Sequence, residues 1–328
     1  MKRLGIKELA KLLSLNPSTV SRALADHPDI KPETRERVKA AAIEFNYQPN
    51  LHARFFRKRS SGLIAVILPS YNMFFIPNLL DGINEHLKNE GYGMIVFFSN
   101  LDLNKEKEII NHCMSWLVDG VIIGLASSHT DHLRQLTDAG IPFVIIDNSS
   151  DYVDPYSTVS IDNKAAAYRA TEYLIKKDKK NILGVFGSQN HIKTQQRLDG
   201  FKLCLLDHNV TFSEYDIVYN EPDFNKLENK LRSTPYNGIF IMNDELLLST
   251  YPILLKNRQI PGNISIITIS DGVLPIQLFP KISHIRYSGY ELGIISSAFL
   301  LKYVKKLKSH SEIEHLYASS ELVEFDPD

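Results

Sequence analysis

Hydrophobic and polar positions follow two different rhythms along this chain, and the rhythm changes near residue 60. Before that point apolar residues recur at helical spacing. Ile6, Leu9, Ala10 and Leu13 fall at i, i+3, i+4 and i+7, the pattern of one buried face on an amphipathic helix. A turn is expected at Ser14-Leu15. Asn16-Pro17 then opens a second helix, because Asn is a favoured N-cap and Pro suits the first helical position. Its apolar face is Val20, Ala23 and Leu24, and the opposite face carries Ser18, Ser21 and Arg22. A third helix is predicted from Pro32 to about Phe45, burying Val38, Ala41, Ala42 and Phe45 and leaving Arg35, Arg37 and Lys39 to solvent. Ser14 stands where glycine is common, so a positive φ there would cost roughly 1 kcal/mol.

Beyond Ser60-Ser61-Gly62 the pattern becomes short apolar runs, at 63–68, 93–98, 120–123, 142–146, 181–186, 238–242 and 265–269. Amphipathic stretches lie near 76–90, 104–116, 163–177, 193–207 and 244–257, and a last strand is expected at 319–325. Almost wholly apolar strands alternating with helices imply parallel sheets covered on both faces. A division near Ser160-Ile161-Asp162-Asn163 gives two successive α/β lobes. Such sheets bind ligands beyond the carboxyl ends of their strands, so facing lobes would enclose a cleft.

At 328 residues the chain is long enough for two or three packed units, and 44% hydrophobic with 23% charged residues is a globular composition. No stretch approaches the ~20 apolar residues of a bilayer span, and the start has no apolar signal core, so the cytosol is the expected compartment. The net charge of −1 is unevenly spread: residues 1–60 hold thirteen Lys and Arg against six Asp and Glu, whereas the remainder hold 24 against 32. A basic head on an acidic body is the layout expected when only the head meets a polyanion. Cys113 and Cys204 fit no paired spacing and are read as reduced core thiols; the eleven histidines show no metal-ligand spacing. No P-loop, GxGxxG, GxSxG or HExxH motif is present, so no catalytic residue, metal or cofactor is expected and the chain is read as a non-enzyme.

Two short helices joined by a tight turn, the second bearing small hydroxyl residues and one Arg, have the layout of a helix-turn-helix. Small side chains let such a helix enter the major groove, and Arg can bridge guanine O6 and N7. Four blocks carry a specific resemblance: Ile6-Lys7-Glu8-Leu9-Ala10, Ser18-Thr19-Val20-Ser21-Arg22-Ala23-Leu24, Pro32-Glu33-Thr34-Arg35-Glu36-Arg37-Val38 and Tyr47-Gln48-Pro49-Asn50. In order and spacing they resemble the signature of the LacI/GalR family of transcription regulators. The resemblance implies that Pro17, Ser18 and Arg22 read bases, that Thr19, Ser21 and Asn50 contact phosphates, and that 50–60 form a hinge helix and linker. It also places Phe56 at the family's minor-groove wedge, a role Phe can fill by unstacking a base step.

The resemblance continues through Ser157-Thr158-Val159-Ser160-Ile161-Asp162-Asn163, Gln196-Arg197-Leu198-Asp199-Gly200-Phe201, Asn243-Asp244-Glu245 and Ile285-Arg286. It implies an all-α helix-turn-helix head over 1–49 and a two-lobed, periplasmic-binding-protein-like α/β body with parallel sheets over 61–328. Lobe 1 is expected at about 61–160 plus 286–322, lobe 2 at about 161–285. The effector residues it implies are Phe74, Phe75, Asp147, Arg197, Asn243 and Ser270, with Asp244 expected to cap a helix. Ser270 replaces the acidic or amide contact usual in the family, which leaves the effector's identity open. The expected partners are a pseudopalindromic double-stranded operator, a small effector, sugar-like in the family's manner, and a second copy of the chain. Repression by a sugar-controlled homodimer is the reading; a non-sugar effector or activation is the alternative, and a carbohydrate enzyme or an exported binding protein the remote ones.

Overall fold

The computed structural model describes residues 4–47, 60–127, 129–147, 155–189, 191–219, 224–257, 260, 262, 264–307, 309 and 312–325. The chain divides into two compact units, Met1–Gly62 and Leu63–Asp328.

The first unit packs α1 (Ile6–Leu12), α2 (Pro17–Leu24) and α3 (Pro32–Glu44) around Leu9, Ala10, Leu13, Val20, Ala23, Val38, Ala41 and Tyr47. Each helix ends the same way. Ser14, Asp26 and Asn46 take left-handed φ values of 51°, 54° and 47°. The next N–H then reaches back across the last turn, Leu15 to Ala10 O (2.9 Å), His27 to Arg22 O (3.0 Å) and Tyr47 to Ala42 O (2.8 Å). These are Schellman closures made without glycine, and the carbonyls they satisfy offset the strain. Two expectations are corrected here. Phe45, predicted to be buried, is 44% exposed, because the turn at Asn46 rotates the chain and delivers Tyr47 to the core instead. Arg37, predicted to be solvated, donates from Nη2 to the Leu13 carbonyl and so ties α3 to the end of α1.

The body begins with β1 (Leu63–Leu68), α4 (Ile76–Asn89), β2 (Gly93–Phe98), α5 (Leu103–Ser115) and β3 (Gly120–Ile123). It continues with α6 (Arg134–Asp138), β4 (Phe143–Ile146), β5 (Thr158–Ser160), α7 (Asn163–Lys176), β6 (Ile182–Phe186) and α8 (Ile192–Asp207). Then follow β7 (Ile217–Tyr219), α9 (Phe224–Ser233), β8 (Gly238–Ile241), α10 (Asp244–Lys256), β9 (Ser265–Ser270) and β10 (Ser283–Tyr287). The last elements are α11 (Gly289–Val304), β11 (His315–Tyr317) and β12 (Ser320–Val323). One sheet has the order β11-β5-β4-β3-β1-β2 and is parallel throughout; the other has the order β12-β10-β9-β8-β6-β7, with only β12 antiparallel.

The apolar runs make two-sided strands. In β1, Ile64, Val66 and Leu68 join the core under α4 and α11, whereas Ala65 and Ile67 face a separate core with Ile109, Ile110 and Cys113 of α5. The chain passes between lobes after β5, after β10 and again after β11. The segment expected to stay in lobe 1 through 322 therefore leaves it at 317, and β12 pairs with β10 in lobe 2. Two helix pairs pack so closely that only glycine fits at the contact: a Cβ on Gly82 of α4 would stand 2.2 Å from the Tyr290 carbonyl oxygen of α11, and one on Gly200 of α8 would stand 2.1 Å from that of Lys164 in α7.

Candidate functional sites

In the head, the first helical bond of α2 runs from the Val20 N–H to the Asn16 carbonyl (3.1 Å), and the Asn16 side chain makes no cap bond. The N–H groups of Ser18 and Thr19 thus have no intrahelical acceptor, and the positive end of the helix faces outward with them. Val20 and Ala23, fully buried, fix which side of α2 looks away from the core. Ser18 and Arg22 are exposed on that side, one turn apart; Pro17, Thr19 and Ser21 are half-buried beside them. Five of the expected DNA contacts therefore lie on one short helix, from Pro17 in its first turn to Arg22 in its last. Asn50 and Phe56, with the rest of 48–59, lie outside the described residues.

In the body, a cleft of about 450 Å³ opens between the lobes, at the carboxyl ends of the strands. Phe75, Asp147 and Asn243 line it, as do Lys193, Thr194 and Glu245. Asp147 follows β4 in a left-handed conformation (φ 60°), its N–H bonded to the Val159 carbonyl. Its carboxylate pairs across the cleft with the Lys193 ammonium. The same ammonium stands 5.7 Å over the Phe75 ring, which meets Tyr287 edge-on at 6.0 Å. Two further bonds cross between lobes: the Phe74 N–H donates to Glu245 Oε1 (3.2 Å), and Asn78 Nδ2 donates to Asp271 Oδ2 (2.7 Å).

Three of the residues expected at the effector are not among those lining the cleft. Phe74 is half-buried against the core. Arg197 is 3% exposed and spends its donors inside lobe 2, from Nε to Asn163 Oδ1 (2.9 Å) and from Nη1 to the Met242 carbonyl. Burial depresses its pKa, against the opposing pull of Tyr287, Asp147, Glu245 and Asp244. Ser270 is fully buried; its hydroxyl donates to Asp244 Oδ2 (2.8 Å) and accepts from the Gly272 N–H (2.8 Å). The capping role expected of Asp244 falls instead to Asn243, which also lines the cleft. Asn243 is the N-cap of α10, its side chain accepting from the Leu246 N–H (3.1 Å), while Asp244 is 4% exposed beneath Ser270. Burial pushes the Asp244 carboxyl up to about 7, although the Ser270 bond lowers it. Burial likewise raises Asp271, offset by bonds from Asn78 and the Gly289 N–H.

The sequence reading missed Lys193, Thr194 and Glu245. Lys193 and Thr194 open α8 and Glu245 lies in the first turn of α10, but nothing local says which helix ends face the other lobe. Among the described residues no group of three His, Cys, Asp or Glu is placed to hold a metal, and no helix is long and apolar enough to cross a membrane.

A family model for bacterial regulatory proteins of the lacI family matches residues 5–50, and one for periplasmic binding proteins and the sugar-binding domain of the LacI family matches residues 61–279. Catabolite control protein A of Staphylococcus xylosus is 25% identical over 306 residues, 92% of each chain. The ribose operon repressor of Bacillus subtilis (strain 168) is 28% identical over 305 residues, again 92% of each. The fold matches the lac repressor dimer bound to operator and the anti-inducer ONPF with a TM-score of 0.87 at 18% identity, over 98% of both chains. It also matches the complex of the transcriptional regulator CelR with cellobiose, with a TM-score of 0.71 at 21% identity over 98% of both. With one model on its helix-turn-helix and the other on most of its body, the chain belongs to the LacI family of bacterial transcription regulators, a family of regulators and not of enzymes.

Proposed function

We propose that this regulator is a homodimeric repressor that reads a pseudopalindromic operator with α2 and releases it when a small polyhydroxylated effector occupies the interlobe cleft. The observation that carries the reading is the outward face of α2: Ser18 exposed in the first turn, where the N–H groups lack acceptors, and Arg22 exposed one turn further along the same face. Backbone N–H groups at a helix N-terminus suit phosphate oxygens, and an exposed Arg flanked by small residues suits guanine. Pro17 would stand at the base edges, Thr19 and Ser21 at phosphates, with Asn50 and Phe56 acting from the hinge.

In the cleft, Phe75 offers a ring face, Asp147 and Glu245 accept hydroxyl protons, and the Asn243 amide nitrogen remains to donate, because its oxygen caps α10. Arg197 and Ser270 act from beneath, holding the lobe 2 floor in shape. Relatives named for ribose and cellobiose support a sugar-type effector. A second copy is supported by exposed apolar residues on one side of lobe 2. Leu248 (52%) and Leu255 (43%) lie two turns apart on α10, and Phe279 (89%) is held beside that helix by the bond from Tyr251 Oη to its carbonyl.

Fluorescence anisotropy on a duplex selected from the source genome tests the reading. Arg22→Ala is expected to weaken binding to that duplex by roughly 5- to 100-fold while changing affinity for random duplex far less. Equal losses on both would leave Arg22 as a phosphate contact only.

A further inference from the structure

We propose that the effector carries an anionic group, a phosphate or a carboxylate on a polyhydroxylated frame, and that the first turn of α8, with Lys193 and Thr194, is the subsite that holds it. The proposal rests on the interlobe cleft being the effector site. Four observations converge on that turn.

α8 is sixteen residues long, and its N-cap, His191, makes no side-chain cap bond. The first helical N–H to reach a carbonyl is that of Gln195, bonded to His191 O at 3.1 Å. The N–H groups of Ile192, Lys193 and Thr194 are the helix's uncapped donors, and the helix dipole adds partial positive charge where these residues border the cleft.

Thr194 points to a ligand independently of the helix end. It is 0% exposed, it lines the cleft, and its Oγ1 has no hydrogen-bond partner. Buried hydroxyls are almost always bonded, so an orphan at the wall of a ligand cleft marks the position of a ligand's oxygen. Gly187 keeps that space clear, since a Cβ there would stand 3.2 Å from Thr194 Oγ1. The Gly187 N–H itself meets only the Met242 sulfur at 3.4 Å, a weak acceptor that a charged oxygen would outcompete.

Lys193 supplies the full charge. Its ammonium already holds an oxyanion inside the cleft, the carboxylate of Asp147. An incoming phosphate or carboxylate would take over that ammonium together with the turn's N–H groups and the Thr194 hydroxyl. Asp147, released, would accept hydroxyls from the effector's frame alongside Glu245. A neutral sugar offers this cluster of donors only uncharged hydroxyl oxygens, whereas an anion makes the stronger charge-assisted bonds, and the exchange of partners lets an anionic effector replace an interlobe ion pair with its own contacts and so alter how the lobes are held.

Isothermal titration of the full-length protein with inorganic phosphate, at ionic strength held constant with chloride, tests the subsite. Saturable binding is expected, weakened about tenfold or more by Lys193→Met and by Thr194→Val. Thr194→Val should melt at the same temperature as the parent or higher without phosphate, because it removes an unpaired buried hydroxyl; a hydroxyl with a merely structural role would lower it. Glucose 6-phosphate, gluconate and glucose, titrated in parallel, separate a phosphate from a carboxylate as the anion. Absence of saturable binding of phosphate, glucose 6-phosphate and gluconate alike, or Lys193→Met binding the anion as tightly as the parent, overturns the subsite. Should glucose bind, and Asp147→Asn abolish it, while no anion does, the cleft survives as effector site and only its anionic character falls. Should none of the four bind, the subsite is overturned and the cleft itself loses its support.

Discussion

Asp244 is a single carboxyl whose surroundings oppose its charge. Its burial, with Oδ1 unpartnered, and the charges of Glu245 and Asp271 outweigh the opposing bond from Ser270, so the folded chain holds its proton to about pH 7 against an ordinary 3.8. Between those values the folded chain binds a proton that the unfolded chain has released. Raising the pH through that window therefore removes stability, on the order of 4 kcal/mol for an isolated group, and the loss levels off above the folded pKa. Asp244→Asn keeps an oxygen for the Ser270 hydroxyl and removes the ionisation. It is expected to flatten the fall in melting temperature between about pH 5 and pH 8; an unchanged slope would show that Asp244 ionises freely in the folded chain. At this scale the sequence disclosed residue types better than their surroundings. Arg197 and Ser270 stand where the family resemblance puts a cleft contact, yet both are turned inward to Asn163, Met242 and Asp244. The pairing of Lys193 with Asp147 joins residues from different lobes, and no spacing along the chain encodes it.

Elements were legible in proportion to the regularity of their burial. β1 and β3 coincide with their apolar runs, because strands covered on both faces are apolar at every position, and the half-buried edge strand β2 coincides with its run as well. Helix α11 escaped the reading for the opposite reason. Leu292, Phe299, Leu300, Leu301 and Tyr303 are buried around much of its circumference, and Ser296 and Ser297 are buried too, bonding back to Leu292 O and Gly293 O, so it has no polar stripe to mark a period. Its contact with α4 is set by backbone approach at Gly82. Gly82→Val is expected to destabilise the body by several kcal/mol, since the nearest atom is a backbone carbonyl that cannot swing aside. A chemical denaturation midpoint matching the parent's would mean that the two helices separate at little cost. α2 shows the element that function requires: two small buried residues inward, hydroxyls and one Arg outward.

Across the whole molecule, charge, repeat of lobes and family agree on a basic reader joined to an acidic ligand-binding body. The division into lobes was legible from strand-helix alternation. The third passage between lobes was not, because β11 and β12 are only three and four residues long and their pairing is non-local. If the apolar side of lobe 2 is where two copies meet, Phe279→Glu should convert the dimer to monomer in sedimentation and weaken operator binding steeply, since one head reads only half of a pseudopalindrome. A dimer that persists in this variant would place the interface elsewhere.

The most direct measurement is competition for the full-length protein between duplexes selected from its own genome and random duplex of equal length, at modest fixed salt. The account predicts a selected sequence that outcompetes random DNA by at least about a thousandfold and loses that advantage when the cleft is occupied. Equal affinity for all duplexes, at every salt tried, would contradict it.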